Sequence, residues 1–200
     1  MISALILAAG ESRRMGQLKP LIRIAGKSFL ERIFIQLSNA GIQDIVVVVG
    51  YQAERIIAET PGMSARFVIH RDYATGQFSS LRAGIASLEK CEAVVVCLAD
   101  QPHLRAEWIV SLVEVFFRER PAVVLPVFQD KRGHPLLIAA SLFQEILTMA
   151  PSCSTRDLFS RHTDSIQTIE IADAGILYDA DTPDDLEKIA ARLHDDKLGT

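Results

Sequence analysis

The chain has 200 residues, 49% of them hydrophobic and 23% charged, with a formal net charge of −4. That is the composition of one globular domain around a single core, and it excludes a disordered chain. The negative balance argues against broad nucleic-acid binding, so any anion site must be a local cluster.

Residues 2–9, ISALILAA, form an apolar run closed by Gly10. Such a run fits a strand covered on both faces. In 28–41, apolar residues at Phe29, Leu30, Ile33, Phe34 and Leu37 have helical spacing. Ser28 and Glu31 make a capping box and Gly41 is the stop. DIVVVVG (44–50) is a second buried strand, a polar helical stretch follows at about 52–59, and RFVIH (66–70) is a third strand. SSLRAGIASL (79–88) is helical, with Ser as a good cap, and AVVVCLAD (93–100) is an apolar run ending in an acid. WIVSLVEVFFRER (108–120) has helix spacing, with Trp108 as a packing residue; AVVLPV (122–127) and PLLIA (135–139) read as strands. PSCSTRDLF (151–159) is a loop-to-helix segment, and 195–200 reads as a loose tail.

Strand and helix alternate through most of the chain. The expectation is a three-layer α/β/α fold with a Rossmann-like, mostly parallel sheet. With no repeat, low-complexity tract or linker, residues 1–200 form one domain. Cys91, Cys97 and Cys153 form no CxxC and no zinc spacing, and an odd count without a framework suggests a reducing compartment. Residues 1–10 carry no basic flank and are too short for a membrane span. The protein is therefore expected to be cytoplasmic, with no membrane and no nucleic-acid partner.

In such folds ligands sit at the carboxyl ends of the strands. That rule selects the loop 10–20, Asp100 in LADQP, YATGQF (73–78) and KRGHP (131–135). In LAAGESRRMGQLKP (7–20), Gly10 and Gly16 let backbone amides approach a ligand, and Arg13, Arg14 and Lys19 add charge. The spacing is neither GxGxxG nor that of a P-loop, because Gly16 is followed by Gln17-Leu18. By itself the loop reads as a plain turn, an anion site or a catalytic nucleotide site. His70, His103, His162 and His194 form no metal-binding spacing.

The string LAAGESRRMGQLKPLIRIAGKSFLERI resembles the signature of the MobA-like nucleotidyltransferases, roughly LAAGxSxRMGxxK. Leu7, Ala8, Ala9, Gly10, Ser12, Arg14, Met15, Gly16 and Lys19 match it. ATGQFSSLRAGI (74–85), LADQP (98–102), RGHPLLI (132–138) and DADTPDDL (179–186) are similar to further family segments in the same order. The resemblance covers most of the chain and implies a fold of the nucleoside-diphospho-sugar transferase type. Together these motifs look most like the molybdenum cofactor cytidylyltransferases. Ala9 stands where the related guanylyltransferases typically carry glycine.

The resemblance implies transfer of CMP from CTP to molybdopterin with release of pyrophosphate, aided by Mg²⁺. It implies Lys19 and Arg14 as catalytic cations on the phosphates. It places the nucleotide against Leu7, Ala8, Ala9, Gly10, Gly16, Lys19, Gly76, Ser79 and Ser80. It assigns the metal to Asp100 and Asp181, and the acceptor to Arg132 and His134. Arg13 falls on a variable position and reads as a solvated charge. Asp181 precedes Thr182 and Pro183, a helix start that would hold it on a fixed corner; alternatively, Asp100 and Asp181 each cap a neighbouring helix. CTP and a molybdopterin-type acceptor are the expected partners, with a molybdoenzyme as recipient of the product. Two alternatives stay open: nucleotidyl transfer to another phosphorylated acceptor, and a non-catalytic nucleotide-binding chaperone for a molybdoenzyme.

Overall fold

The computed structural model describes residues 1–12, 15–150 and 152–198. Its first strand, β1 (Ile2–Ala8), sits at the centre of the molecule, with Leu5 and Ile6 fully buried. A short ribbon, β2 (Arg23–Ile24) and β3 (Lys27–Ser28), leads into α1 (Phe29–Asn39). The capping box is made as expected: the Glu31 amide donates to Ser28 Oγ at 3.1 Å, and the Ser28 amide to the Glu31 carboxylate at 2.6 Å. Then follow β4 (Asp44–Val49), α2 (Ala53–Ala58), β5 (Arg66–Ile69), α3 (Gln77–Ala86) and β6 (Ala93–Leu98). The second half contains α4 (Ala106–Glu119), β7 (Val123–Phe128), β8 (Lys131–Arg132), β9 (Leu136–Ala139), α5 (Phe143–Thr148), α6 (Thr155–Arg161), β10 (Ile166–Glu170) and α7 (Pro183–Leu198).

The large sheet runs β10-β7-β9-β6-β1-β4-β5, with β8 paired to β7. β1 pairs in parallel with both β4 and β6, β4 with β5, and β7 with β10. β9 is antiparallel to both its neighbours, β6 and β7. The sheet is thus mostly parallel, with a reversal on the β6 side. One apolar layer packs α1 and α4 on one face, through Leu30, Ile33, Ile109 and Leu112. A second packs α3, α5 and α6 on the other, through Leu81, Ile85, Ile146 and Leu158. Covering both faces is why these strands read as continuous apolar runs instead of alternating ones. Each fully buried Leu or Ile contributes roughly 1.5–3 kcal/mol relative to exposure.

Two features of the sequence reading change. α3 begins at Gln77, earlier than the serines suggest. Gly76 takes the cap position at φ +115°, a conformation open to glycine but strained for other residues. The chain can therefore turn there without a side-chain cap, and Ser79 and Ser80 fall inside the first turn. At the other end, α7 continues through Leu198, so most of the expected loose tail is helical.

Among the described residues, no helix is long and apolar enough to cross a membrane.

Candidate active site

The strand order turns at β1. The chain moves from β1 to β4 and β5 on one side, then crosses back to place β6 on the other. A crevice opens at the carboxyl ends of strands at such a switch point, because consecutive connections leave in opposite directions. There, a cavity of about 310 Å³ is bounded by Leu7–Gly10 from β1, Leu98–Asp100 from β6, and Gly76, Gln77 and Ser80 from α3. Main-chain bonds hold these ends in register: the Ala99 amide donates to Leu7 O at 3.1 Å, and the Tyr51 amide to Ala9 O at 3.1 Å.

The loop after β1 folds back on itself. Ser12 adopts φ +54°, a left-handed conformation uncommon for a residue with a Cβ. Its hydroxyl accepts the Lys19 amide at 3.1 Å, which closes the loop and aims Lys19 into the cavity. Gly16, at φ +63°, makes a turn in this loop and does not line the cavity. Arg13 and Arg14 lie outside the described residues.

Lys19 is the centre of the charge arrangement. Its ammonium donates to Asp181 Oδ1 at 2.5 Å and to Asp100 Oδ2 at 3.2 Å. Burial works against the charged ammonium, but the hydrogen bonds and attraction of the two carboxylates outweigh it and raise the Lys19 pKa. Lys19 therefore remains a cation throughout the neutral range.

Asp181 reaches this point by docking of the 173–181 segment onto the end of β6. The Ala180 amide donates to Asp100 O at 2.9 Å, and Gln101 Nε2 to Asp179 Oδ1 at 2.9 Å. Buried His103 bonds Gly175 O through Nε2 at 2.8 Å, and Arg192 pairs with Asp173. The cap of α7 is Thr182, which exchanges bonds with Asp185, so Pro183 is the first helical residue as expected. Asp100 caps no helix, since the next one begins at Ala106.

A third carboxylate, Asp179, lies close to Asp100 and Asp181. Asp179 has its pKa raised, first by burial and then by the negative charge of Asp100 and Asp181. Asp100 Oδ1 is buried and has no hydrogen-bond partner among the described residues, and such an oxygen suits a further cation. Among the described residues no three His, Cys, Asp or Glu side chains converge as a ready-made metal cage. Two carboxylates completed by substrate phosphates and water is the arrangement common for Mg²⁺.

Of the nucleotide-binding residues expected from the sequence, Leu7, Ala8, Ala9, Gly10, Lys19, Gly76 and Ser80 line the cavity. Ser79 does not. It is 7% exposed, pairs with His70 Nε2 at 2.9 Å and donates to Gly76 O at 2.6 Å, so it braces the turn. Tyr73 and Gln77 also line the cavity; both belong to YATGQF (73–78), the segment selected from the sequence, although the sequence reading assigns neither a nucleotide-binding role of its own. Gln77 stands beside Gly76 in a motif already singled out. Tyr73 has a subtler signal: a Cβ on Gly50 would come within 2.6 Å of Tyr73 Cβ and 2.8 Å of Ala9 O. Glycine at the end of β4 lets this ring close over the site.

Arg132 and His134 lie on a second cavity of about 160 Å³. It adjoins the first through Leu7 and Gln77, which line both. Gly133 packs so tightly on Ile176 that a Cβ would meet Ile176 O at 2.3 Å, and the His134 amide donates to the same oxygen at 2.9 Å. Burial lowers the His134 pKa, partly offset by the charge of Asp100, so its imidazole is neutral near pH 7.

Comparison with known proteins identifies the family and the fold. Residues 4–166 match the family model of the MobA-like NTP transferase domain. The chain is 26% identical over 189 residues to molybdenum cofactor cytidylyltransferase of Escherichia coli K12, covering 92% of this chain and 93% of that protein. It is 24% identical over 198 residues to nicotine blue oxidoreductase of Paenarthrobacter nicotinovorans, covering 94% and 96%. The fold superposes on Rv0371C of Mycobacterium tuberculosis H37Rv, solved in complex with manganese, with a TM-score of 0.79 at 21% identity, covering 95% of this chain and 98% of that one.

Proposed function

The chain belongs to the MobA-like NTP transferase family and is a nucleotidyltransferase, and from that premise we propose that it transfers CMP from CTP to molybdopterin. Two relatives of nearly full coverage carry different names, one a cytidylyltransferase and one an oxidoreductase. The reading therefore rests on the site. The observation that carries it is Lys19, held between Asp100 and Asp181 at the mouth of the switch-point crevice. A fixed cation beside two acids is what a triphosphate and its metal require, and it has no evident use in hydride transfer.

In the proposed reaction a terminal phosphate oxygen of the acceptor attacks the α-phosphorus of CTP in line. The new P–O bond forms as the bond to the bridging oxygen breaks, and pyrophosphate leaves with that electron pair. No protein nucleophile is needed, because the attacking phosphate is already ionised. Negative charge grows on the non-bridging and leaving oxygens, where the Lys19 ammonium stabilises it. Gly10 and Gly76 would let the main chain approach the phosphates without a Cβ atom in the way. Asp100 and Asp181 would hold Mg²⁺, which when bound supplies further charge neutralisation on the phosphates. Neutral His134 and Arg132 face the acceptor.

The choice of CTP rests on Ala9, which lines the first cavity; a methyl at this position would crowd a purine held close to the backbone. The test is incubation with Mg²⁺, each NTP at equal concentration and molybdopterin, followed by mass analysis of the products. A cytosine dinucleotide with stoichiometric pyrophosphate is expected. Faster turnover of GTP would overturn the nucleotide assignment. Pyrophosphate release with a sugar or polyol phosphate but not with molybdopterin would overturn the acceptor.

A further inference from the structure

The oxygens of the two acids beside the first cavity are not used alike. Asp181 Oδ1 and Asp100 Oδ2 accept from the Lys19 ammonium, at 2.5 and 3.2 Å. Asp100 Oδ1 is buried and has no partner among the described residues. The Lys19 side chain is 13% exposed and that of Asp100 26%, and Asp181, at 40%, is the open side of the cluster. A cation in such surroundings is held firmly, because Lys19 and Asp100 have little water to replace the partner they would lose.

The main chain is pinned on both sides of this contact. The Lys19 amide is tied to Ser12 Oγ at 3.1 Å, and the next residue, Pro20, is buried. Opposite, the Ala180 amide is tied to Asp100 O at 2.9 Å, which couples the two acids through the backbone. The part with freedom to move is the flexible stem of Lys19. Lys19 also lines the first cavity, together with Gly10, Gly76 and Gln77. Rotation of the stem therefore carries the ammonium from the acids towards a ligand in that cavity without leaving the crevice.

We infer that Lys19 and a divalent cation are alternative occupants of the same two carboxylates, and that their exchange controls when the metal site becomes available. Asp100 Oδ1 offers an incoming cation its first oxygen. Asp100 Oδ2 and Asp181 Oδ1 are released only as Lys19 withdraws. Withdrawal for a metal alone would leave a sheltered ammonium beside a doubly charged ion, with no anion of its own. A phosphate in the cavity removes that obstacle, since it accepts from the ammonium and adds oxygens to the metal's shell. The Lys19 contact is thus a latch against metal entry ahead of nucleotide. This inference rests on the transferase reading for the position of the metal, and its test separates the two without turnover.

The test is Mn²⁺ binding to the full chain without nucleotide, followed by the electron paramagnetic resonance signal of the unbound ion. The parent protein should bind weakly. Lys19→Met, which keeps much of the stem and removes the charge, should bind about tenfold or more tightly. Equal affinities would overturn the exchange. Adding Asp100→Asn to Lys19→Met should abolish the gain; its retention would place the ion elsewhere and overturn the two-carboxylate reading itself. A second measurement uses the parent protein. The ¹⁵Nζ resonance of Lys19, assigned by its loss in Lys19→Met, should shift as Mg²⁺ is titrated to saturation. Saturation with the resonance unmoved would mean that the ammonium stays on its acids and only repels the ion through space, and that would overturn the exchange.

Discussion

The two adjoining cavities at the carboxyl edge of the sheet are built by different means. The first, about 310 Å³, is bounded by the strand ends Leu7–Gly10 and Leu98–Asp100 and by the turn at Gly76, with Lys19 and Asp100 on its wall and Asp181 bonded to Lys19 beside it. The second, about 160 Å³, is shaped by side chains of β1, β6, β7, β9, α3 and α6, among them Leu7, Val96, Leu125, Leu136, Leu81 and Phe159. A triphosphate is the same in every nucleotide, so a site for it can be made of backbone and fixed charge. An acceptor is recognised by shape, so its site must be made of side chains that differ from one enzyme to another. Changes in the first cavity should therefore strike rate, and changes in the second should strike acceptor affinity.

The sharpest way to break this comparison is Lys19→Ala. Removing one pre-organised charge from a developing oxyanion costs on the order of 100-fold or more in rate. We expect kcat to fall by about that factor while the circular dichroism spectrum and acceptor binding are retained. A near-normal kcat would make Lys19 a solvated cation and dissolve the distinction. Next in size are Asp100→Asn and Asp181→Asn. Both should fold and lose metal-dependent turnover, Asp100→Asn more severely, because Asp100 is the less exposed of the two and has an unbonded buried oxygen. Titration of activity with Mg²⁺ and with Mn²⁺ checks this, and full activity of both variants at limiting metal would eliminate the two-carboxylate site.

The same difference explains what was legible in the sequence. The first cavity needs consecutive backbone groups, so it is written as contiguous strings: LAAG at the end of β1, LAD at the end of β6, ATGQ before α3. The alternation of strands and helices likewise gave away the layered fold. The second cavity is lined by residues that look like ordinary core leucines and valines, and nothing local distinguishes Leu125 from Val124. The reversal of β9 was also hidden, because a short apolar run reads alike in either direction. Ser79 was misplaced because serine is a good cap, whereas Gly76 makes the turn through its own backbone freedom.

Gly50 tests whether the roof of the first cavity matters independently of its charge. In Gly50→Ala the new methyl would meet Tyr73 at 2.6 Å and the Ala9 carbonyl oxygen at 2.8 Å, and the second contact is backbone that cannot rotate aside. Overpacking of this kind costs about 1–3 kcal/mol. We expect a lower Tm and a raised KM for the nucleotide, with acceptor affinity unchanged. An unchanged KM would show that the ring of Tyr73 closes over empty space.

The smallest expected effect concerns the segment that brings Asp181 to Lys19. His103 is 1% exposed; its pKa is lowered chiefly by burial, with Arg192 and Arg105 lowering it further and the bond to Gly175 O and the charge of Asp173 opposing. The unfolded chain therefore takes up a proton at this residue before the folded chain does. Stability from neutral His103 is complete above the unfolded value of about 6.5 and is lost as pH falls from there towards the lower folded value. Half-buried His134 is shifted the same way and adds to the slope. Urea unfolding at pH 7.5 and at pH 5.5 should give a lower midpoint at the acid pH, and His103→Gln should flatten the difference. Because His103 grips Gly175 while His134 sits in the second cavity, the two can be told apart. Acid should weaken the docking of the 173–181 segment, and with it metal-dependent turnover, in the parent protein more than in His103→Gln. An identical acid sensitivity of unfolding in both proteins would remove His103 from the account and leave the segment held by Arg192–Asp173 and Gln101–Asp179.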